Sequence, residues 1–163
     1  MSDEQSVTPW LDEHQQRAWR AFLVGTTLLM DRLDRELRER HKMSLSEYEI
    51  LVRLSEAPDH RLRMAMLADS LSHSRSRVTH TVGRMEATGL VSRDACVADG
   101  RGVEAVLTQR GKAALAAAAP THVAGVRRLL VDLVGSEDFA AVGRVFDSVT
   151  DALIEGNPAM DIR

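Results

Sequence analysis

Four side chains at helical spacing, Ser76, Arg77, His80 and Arg84, place a hydroxyl, an imidazole and two guanidinium groups on one face of a predicted helix. On a wheel of 100° per residue, Val78, Val82 and Met85 fall together, while Gly83 and Ala87 join the polar side. No acid occupies that outward face, and the groups it gathers are donors suited to phosphate oxygens and guanine edges. Thr79 flanks the face, and Arg75 stands in the first turn within reach of a phosphate. About fifteen residues on, the segment Ala98-Asp99-Gly100-Arg101-Gly102 sets one arginine between two glycines. An arginine at such a tip suits a narrow minor groove, and Asp99 is placed to hold the guanidinium by a charge-assisted bond.

Those residues need elements to carry them. Ser74 is a predicted N-cap, the helix runs through Met85 to Thr88, and Gly89 supplies a left-handed C-terminal position. Met66 to Leu71 forms a two-turn helix before it, joined through Leu71-Ser72-His73-Ser74 as a helix-turn-helix. Val91 to Val97 and Val103 to Leu107 are strand-like and flank the glycine-rich tip as a hairpin. The basic segment Arg61 to Met64 suits a short pairing strand whose arginines either touch phosphates or are simply solvated.

Trp10 to Arg40 has a helical apolar period, and acid-to-base pairs four apart such as Asp31/Arg35 and Asp34/Arg38 support it. A second helix is predicted from Leu45 to Ala57, opened by a capping box read at Ser46 to Glu49. Thr108 to Val134 reads as an alanine-rich helix with a kink or break at Pro120, and Ser136 to Ile154 as a last amphipathic helix. Apolar stripes on both terminal segments leave little else to cover them than each other and a second copy, against the alternative of an ordinary intrachain bundle.

Bulk properties agree with this division. The chain has 163 residues and a net charge of −3. Residues 61 to 112 nevertheless carry +4, and the remainder −7. One basic, phosphate-facing middle therefore sits between acidic ends. No run is apolar enough for a membrane span, the N-terminus lacks a secretory pattern, and the single cysteine, Cys96, fits a reducing cytoplasmic setting. The six histidines show no HExxH motif, no spacing of four and no cysteine neighbours, so neither a metal site nor a cofactor is expected. No nucleophile-base pair or phosphate loop points to an enzyme. Cys96 is read as a structural residue of the wing, with oxidation to a mixed disulfide as the other possibility.

The segments Leu67-Ala68, Ser74-Arg75-Ser76-Arg77-Val78-Thr79-His80, Met85-Glu86, Gly89-Leu90-Val91 and Asp99-x-Arg101 with Leu107-Thr108 resemble the MarR family of bacterial regulators. The resemblance covers essentially the whole chain. It implies a mainly α (α+β) fold: a dimerisation helix in 1–44, a winged helix-turn-helix in 45–108 and dimerisation helices in 109–163. It further implies a homodimer reading a pseudo-palindromic operator in double-stranded DNA as a repressor, with Arg101 in the minor groove and Asp99 supporting it. His80 departs from the arginine common in relatives, and Arg77 from a small hydroxyl residue, so no operator sequence carries over. Relatives often take small aromatic or phenolic acids as effectors, and Trp19 with Arg17 and Arg20 is a candidate lining, although a core role is the plainer reading of Trp19. The competing class is a helical ligand-binding or protein-interaction module without DNA binding.

Overall fold

The computed structural model describes residues 8–96 and 102–154. The first helix, α1 (Glu13–His41), starts three residues later than its apolar period suggests, because Asp12 forms a capping box with Gln15 and leaves Trp10 outside. It ends at Lys42, which takes the left-handed conformation at φ 56°. Helix α2 (Leu45–Glu56) is capped by Ser44 rather than Ser46: the Ser44 hydroxyl accepts from the Glu47 N–H, and the Glu47 carboxylate accepts from the Ser44 N–H. Both serines stand three residues before a glutamate, and Ser44 is the one in extended backbone.

A one-turn 3-10 segment (Pro58–His60) leads into β1 (Arg61–Arg63), and α3 (Met64–Ser70) follows directly. Helix α4 (Arg75–Ala87), strands β2 (Val91–Ala95) and β3 (Val103–Leu107), and helices α5 (Gln109–Leu129) and α6 (Ser136–Leu153) complete the chain. The antiparallel sheet has the order β1-β3-β2, so the short basic segment does pair, with Arg61 opposite Val106. Strand β2 covers Val91–Ala95, and its expected end, Val97, lies outside the described residues.

The core lies in the lobe built from α2, α3, α4 and the sheet. Leu51, Leu54, Leu67, Val78, Val82, Met85 and Val91 are all buried there. Helix α5 leaves this lobe through a close approach: Thr108 caps it by accepting from the Gly111 N–H at 2.9 Å and donates to the Gly89 carbonyl at 2.8 Å. A Cβ on Gly111 would stand 2.1 Å from the Leu90 carbonyl oxygen, so only glycine fits this joint.

Helix α5 runs through Pro120 without a break, the first of the two outcomes expected there, a kink or a break, being the one compatible with a continuous helix. The break comes after Leu129, where a 3-10 turn (Val131–Leu133) precedes α6. A proline costs an interior helix a hydrogen bond, but α5 packs along α1 with Ala118 and Gly125 buried, and tertiary cover of this kind overrides local preference.

Candidate nucleic-acid interface

Ser74 caps α4 as its sequence suggests, its hydroxyl accepting from the Arg77 N–H at 3.3 Å. The preceding turn is tightened by Ser72, a non-glycine residue at φ 51°, and by the His73 N–H donating to the Ala68 carbonyl at 3.0 Å. At the far end Gly89 has φ 74°, and the Leu90 N–H returns to the Met85 carbonyl at 2.9 Å. Val78, Val82 and Met85 are pinned in the core, so the opposite face cannot rotate away from solvent.

That face carries Arg75, Ser76, Arg77, Thr79, His80 and Arg84, all exposed. Thr81, which the wheel left unassigned, is buried; it tolerates this because its hydroxyl donates to the Arg77 carbonyl at 3.0 Å. Two arginines of the face are tethered from α2. Arg77 donates to the Ser46 hydroxyl at 3.4 Å, and Arg84 lies 3.6 Å from a Glu47 carboxylate oxygen. Ser76, Arg77, His80 and Arg84 thus have no acid among them, yet Glu47 of the neighbouring helix stands beside the face they form.

The wing is tied to this helix. Glu86, at the end of α4, accepts from Arg93 Nε at 2.8 Å, and that bond holds its carboxyl below the usual carboxylate range. Across the sheet, Glu104 accepts from Arg61 at 3.4 Å, and the buried Cys96 thiol donates to its other oxygen at 3.3 Å. The Cys96 N–H donates to the Gly102 carbonyl at 2.8 Å. Asp99 and Arg101, the expected tip residues, lie outside the described residues.

A second feature lies behind the lobe. A cleft of about 320 Å³ opens between α1, α2 and α5, lined among others by Met30, Leu33, Tyr48, Arg53, His122 and Val126. Tyr48 and His122 set their rings 4.6 Å apart. Arg53 Nε and His122 Nδ1 are buried there without a hydrogen-bond partner among the described residues. Burial lowers the His122 pKa and raises that of Tyr48. Trp19 is exposed and lies outside this lining, so it is neither a core residue of one chain nor a wall of this cleft.

Among the described residues no group of three or more His, Cys, Asp or Glu side chains is gathered as metal ligands would be. No helix among them is long and apolar enough to cross a membrane.

The sequence of the MarR family matches over residues 41–102. The structure resembles that of Sco3205, a MarR family transcriptional regulator from Streptomyces coelicolor solved in complex with DNA, with a TM-score of 0.87 and 38% identity over 91% of this chain and 92% of that one. AbsC, another such regulator from the same organism, gives a TM-score of 0.84 and 39% identity over 90% and 98%. The apo form of MarR from E. coli shares the fold at a TM-score of 0.66 and 17% identity, over 86% and 98%. No curated protein matches the chain.

Proposed function

The chain belongs to the MarR family of transcriptional regulators, and from that premise we propose that it acts as a cytoplasmic homodimeric repressor that reads a pseudo-palindromic operator in double-stranded DNA and lets go when a small aromatic or phenolic ligand binds. The observation that carries the reading is the outer face of α4, where Ser76, Arg77, His80 and Arg84 are exposed with no acid among them and are held outward by Val78, Val82 and Met85. Arg75, Ser76, Arg77, Thr79 and His80 contact phosphates and base edges in the major groove, with Arg84 lying along the same face of the groove. Arg101 enters the minor groove with Asp99 beside it.

The cleft behind α2 supports the effector part. Its walls are mostly apolar and aromatic, and two unpartnered nitrogens face a ligand there: Arg53 Nε, an N–H donor for a carboxylate or phenol oxygen, and His122 Nδ1, which donates or accepts according to its tautomer. Tyr48 and Leu45 of that wall belong to the same helix that tethers Arg77 and Arg84, so a ligand there presses on the reading face through α2.

The test is binding to duplex fragments taken from the DNA upstream of the protein's own gene, followed by anisotropy. A dimer neutralising about six phosphates loses about a thousand-fold in affinity between 50 and 200 mM salt. Arg101→Ala should weaken binding markedly while the thermal midpoint stays in place. Normal operator binding by Arg101→Ala would remove the wing from the site, and absence of any DNA binding with intact folding would favour a ligand-binding or protein-interaction module instead.

A further inference from the structure

Two contacts cross from the first turn of α2 to the reading face, and they differ in kind. The tie from Ser46 to Arg77 is a neutral hydroxyl, which gives up nothing electrostatic when a phosphate arrives. The tie from Glu47 to Arg84 is a carboxylate. Glu47 is also well anchored: its side chain is 18% exposed against 55% for Arg84. Its second oxygen accepts from the Ser44 N–H at 2.8 Å and from the Ser44 hydroxyl at 2.9 Å. Behind the turn, Asp34 of α1 accepts from the Leu45 N–H at 2.8 Å. A fixed negative post thus stands at ion-pair distance from one arginine of the face, Arg84, while Arg77 feels the charge of Glu49 without an ion pair.

An unrestrained guanidinium adds to the grip on any phosphate, and phosphate contacts carry no sequence information. An arginine already facing a fixed carboxylate adds little to that grip, because the phosphate must compete with the carboxylate and is repelled by it. We propose that Glu47 is a specificity-determining residue that withholds Arg84 from sequence-independent phosphate contact, so that the rest of the face and the wing decide where the protein binds. This rests on the DNA-reading function argued above.

Glutamine can replace glutamate in a capping box, so Glu47→Gln removes the charge while keeping the cap. The experiment measures the salt dependence of binding by the full chain to a random-sequence duplex and to a genomic fragment selected by the wild type. Glu47→Gln should steepen the slope on random DNA by about 0.9 per protomer, the value for one more phosphate neutralised. Its affinity for random DNA at 50 mM salt should rise several-fold, with a smaller change on the selected fragment, so discrimination falls. Ser44→Ala, which weakens the cap and leaves the charge, should lower the thermal midpoint with an unchanged slope. An unchanged slope for Glu47→Gln, or weaker binding to both duplexes, overturns the proposal. Failure of the wild type itself to bind either duplex is a separate result, which overturns the DNA-reading function and this proposal with it.

Discussion

The winged lobe and the terminal helices are built from the same kind of sequence, amphipathic segments with regular apolar stripes, yet they meet the demand for cover in opposite ways. In the lobe, Ile50, Leu51, Leu54, Leu67, Val78, Val82 and Met85 all fall below 2% exposure. In α6 no residue is buried, and Phe139, Val142, Val145, Phe146, Val149 and Leu153 remain 37 to 76% exposed. The outer half of α1 behaves like α6: Trp19 stacks on Phe22, which meets Phe146 at 5.4 Å, and all three stay partly in water. A periodic stripe therefore states that cover is needed, not where it comes from. The lobe finds its cover within the chain. For the terminal helices we propose a second copy, since a contiguous apolar surface of this kind marks an association site.

The strongest way to break this contrast is to damage each region and ask which property fails. Leu54→Ala in the lobe should cost about 2–5 kcal/mol of folding stability, the range for truncating a fully buried leucine. Urea unfolding at fixed protein concentration measures it. Phe146→Glu in α6 should leave the lobe folded but weaken self-association tenfold or more, taking about 1.5–3 kcal/mol for a phenylalanine that a partner would otherwise bury. Sedimentation at several concentrations reads this out, and the melting temperature of the wild type should rise with concentration while that of the variant should not. If Phe146→Glu instead unfolds the lobe at every concentration, the two regions are one cooperative core and the division is wrong.

The same contrast explains what was legible beforehand. The Ser74 cap, the left-handed Gly89 and the exposed basic face of α4 follow from local chemistry, and each is found; the short strand expected over Arg61 to Met64 is found at Arg61–Arg63, and its partner, β3, lies too far along the chain to be read locally. Features that depend on residues distant in the chain were not legible. Glu47 meets Arg84 from another helix, and Glu36 meets Arg128 from 92 positions away. Nothing in either local pattern encodes the meeting. The misplaced cap of α2 has a different cause: Ser44 and Ser46 each stand three residues before a glutamate, and backbone conformation alone separates them. At Pro120 local propensity leaves a kink and a break equally open, and the packing of α5 on α1 is what keeps the helix continuous.

Glu36 joins two of the terminal helices, α1 and α5, and carries the comparison to a smaller scale. It is buried on α1 and accepts from Arg32 at 2.8 Å and from Arg128 of α5 at 2.6 Å. The Arg32 bond, aided by Arg128, holds its carboxyl below the usual range against the opposing effect of burial. A carboxyl with a depressed folded pKa stabilises the protein above its unfolded pKa, near 4.3 for glutamate, and that contribution is lost as pH falls through the folded value. Glu36→Gln should cost about 1–3 kcal/mol at pH 7, as expected for hydrogen bonds to a charged group. It should also flatten the loss of stability below pH 5. Equal acid sensitivity in wild type and variant would show that the arginines do not hold this joint.

The smallest effects separate the regions most cleanly, because they compare like with like. Ser74 and Asp12 are both N-caps whose side chains accept a backbone N–H three residues on, at 3.3 and 2.8 Å. Removing such a cap typically costs about 1 kcal/mol when the capped turn is part of the cooperative fold. Helix α4 is anchored by its inner face, so Ser74→Ala should lower global stability by about that amount. Helix α1 begins in exposed turns with no buried residue before Leu33. At dilutions where the chain is a single copy, fraying there exposes almost nothing further, and Asp12→Ala should leave the lobe's unfolding midpoint unchanged. Amide exchange should speed up only in the first turns of α1, through a local opening well below the global free energy. A full loss of about 1 kcal/mol for Asp12→Ala at that dilution would mean that the start of α1 unfolds together with the lobe even within one chain, whereas a loss that appears only at high concentration would place the first turns of α1 against the second copy proposed above.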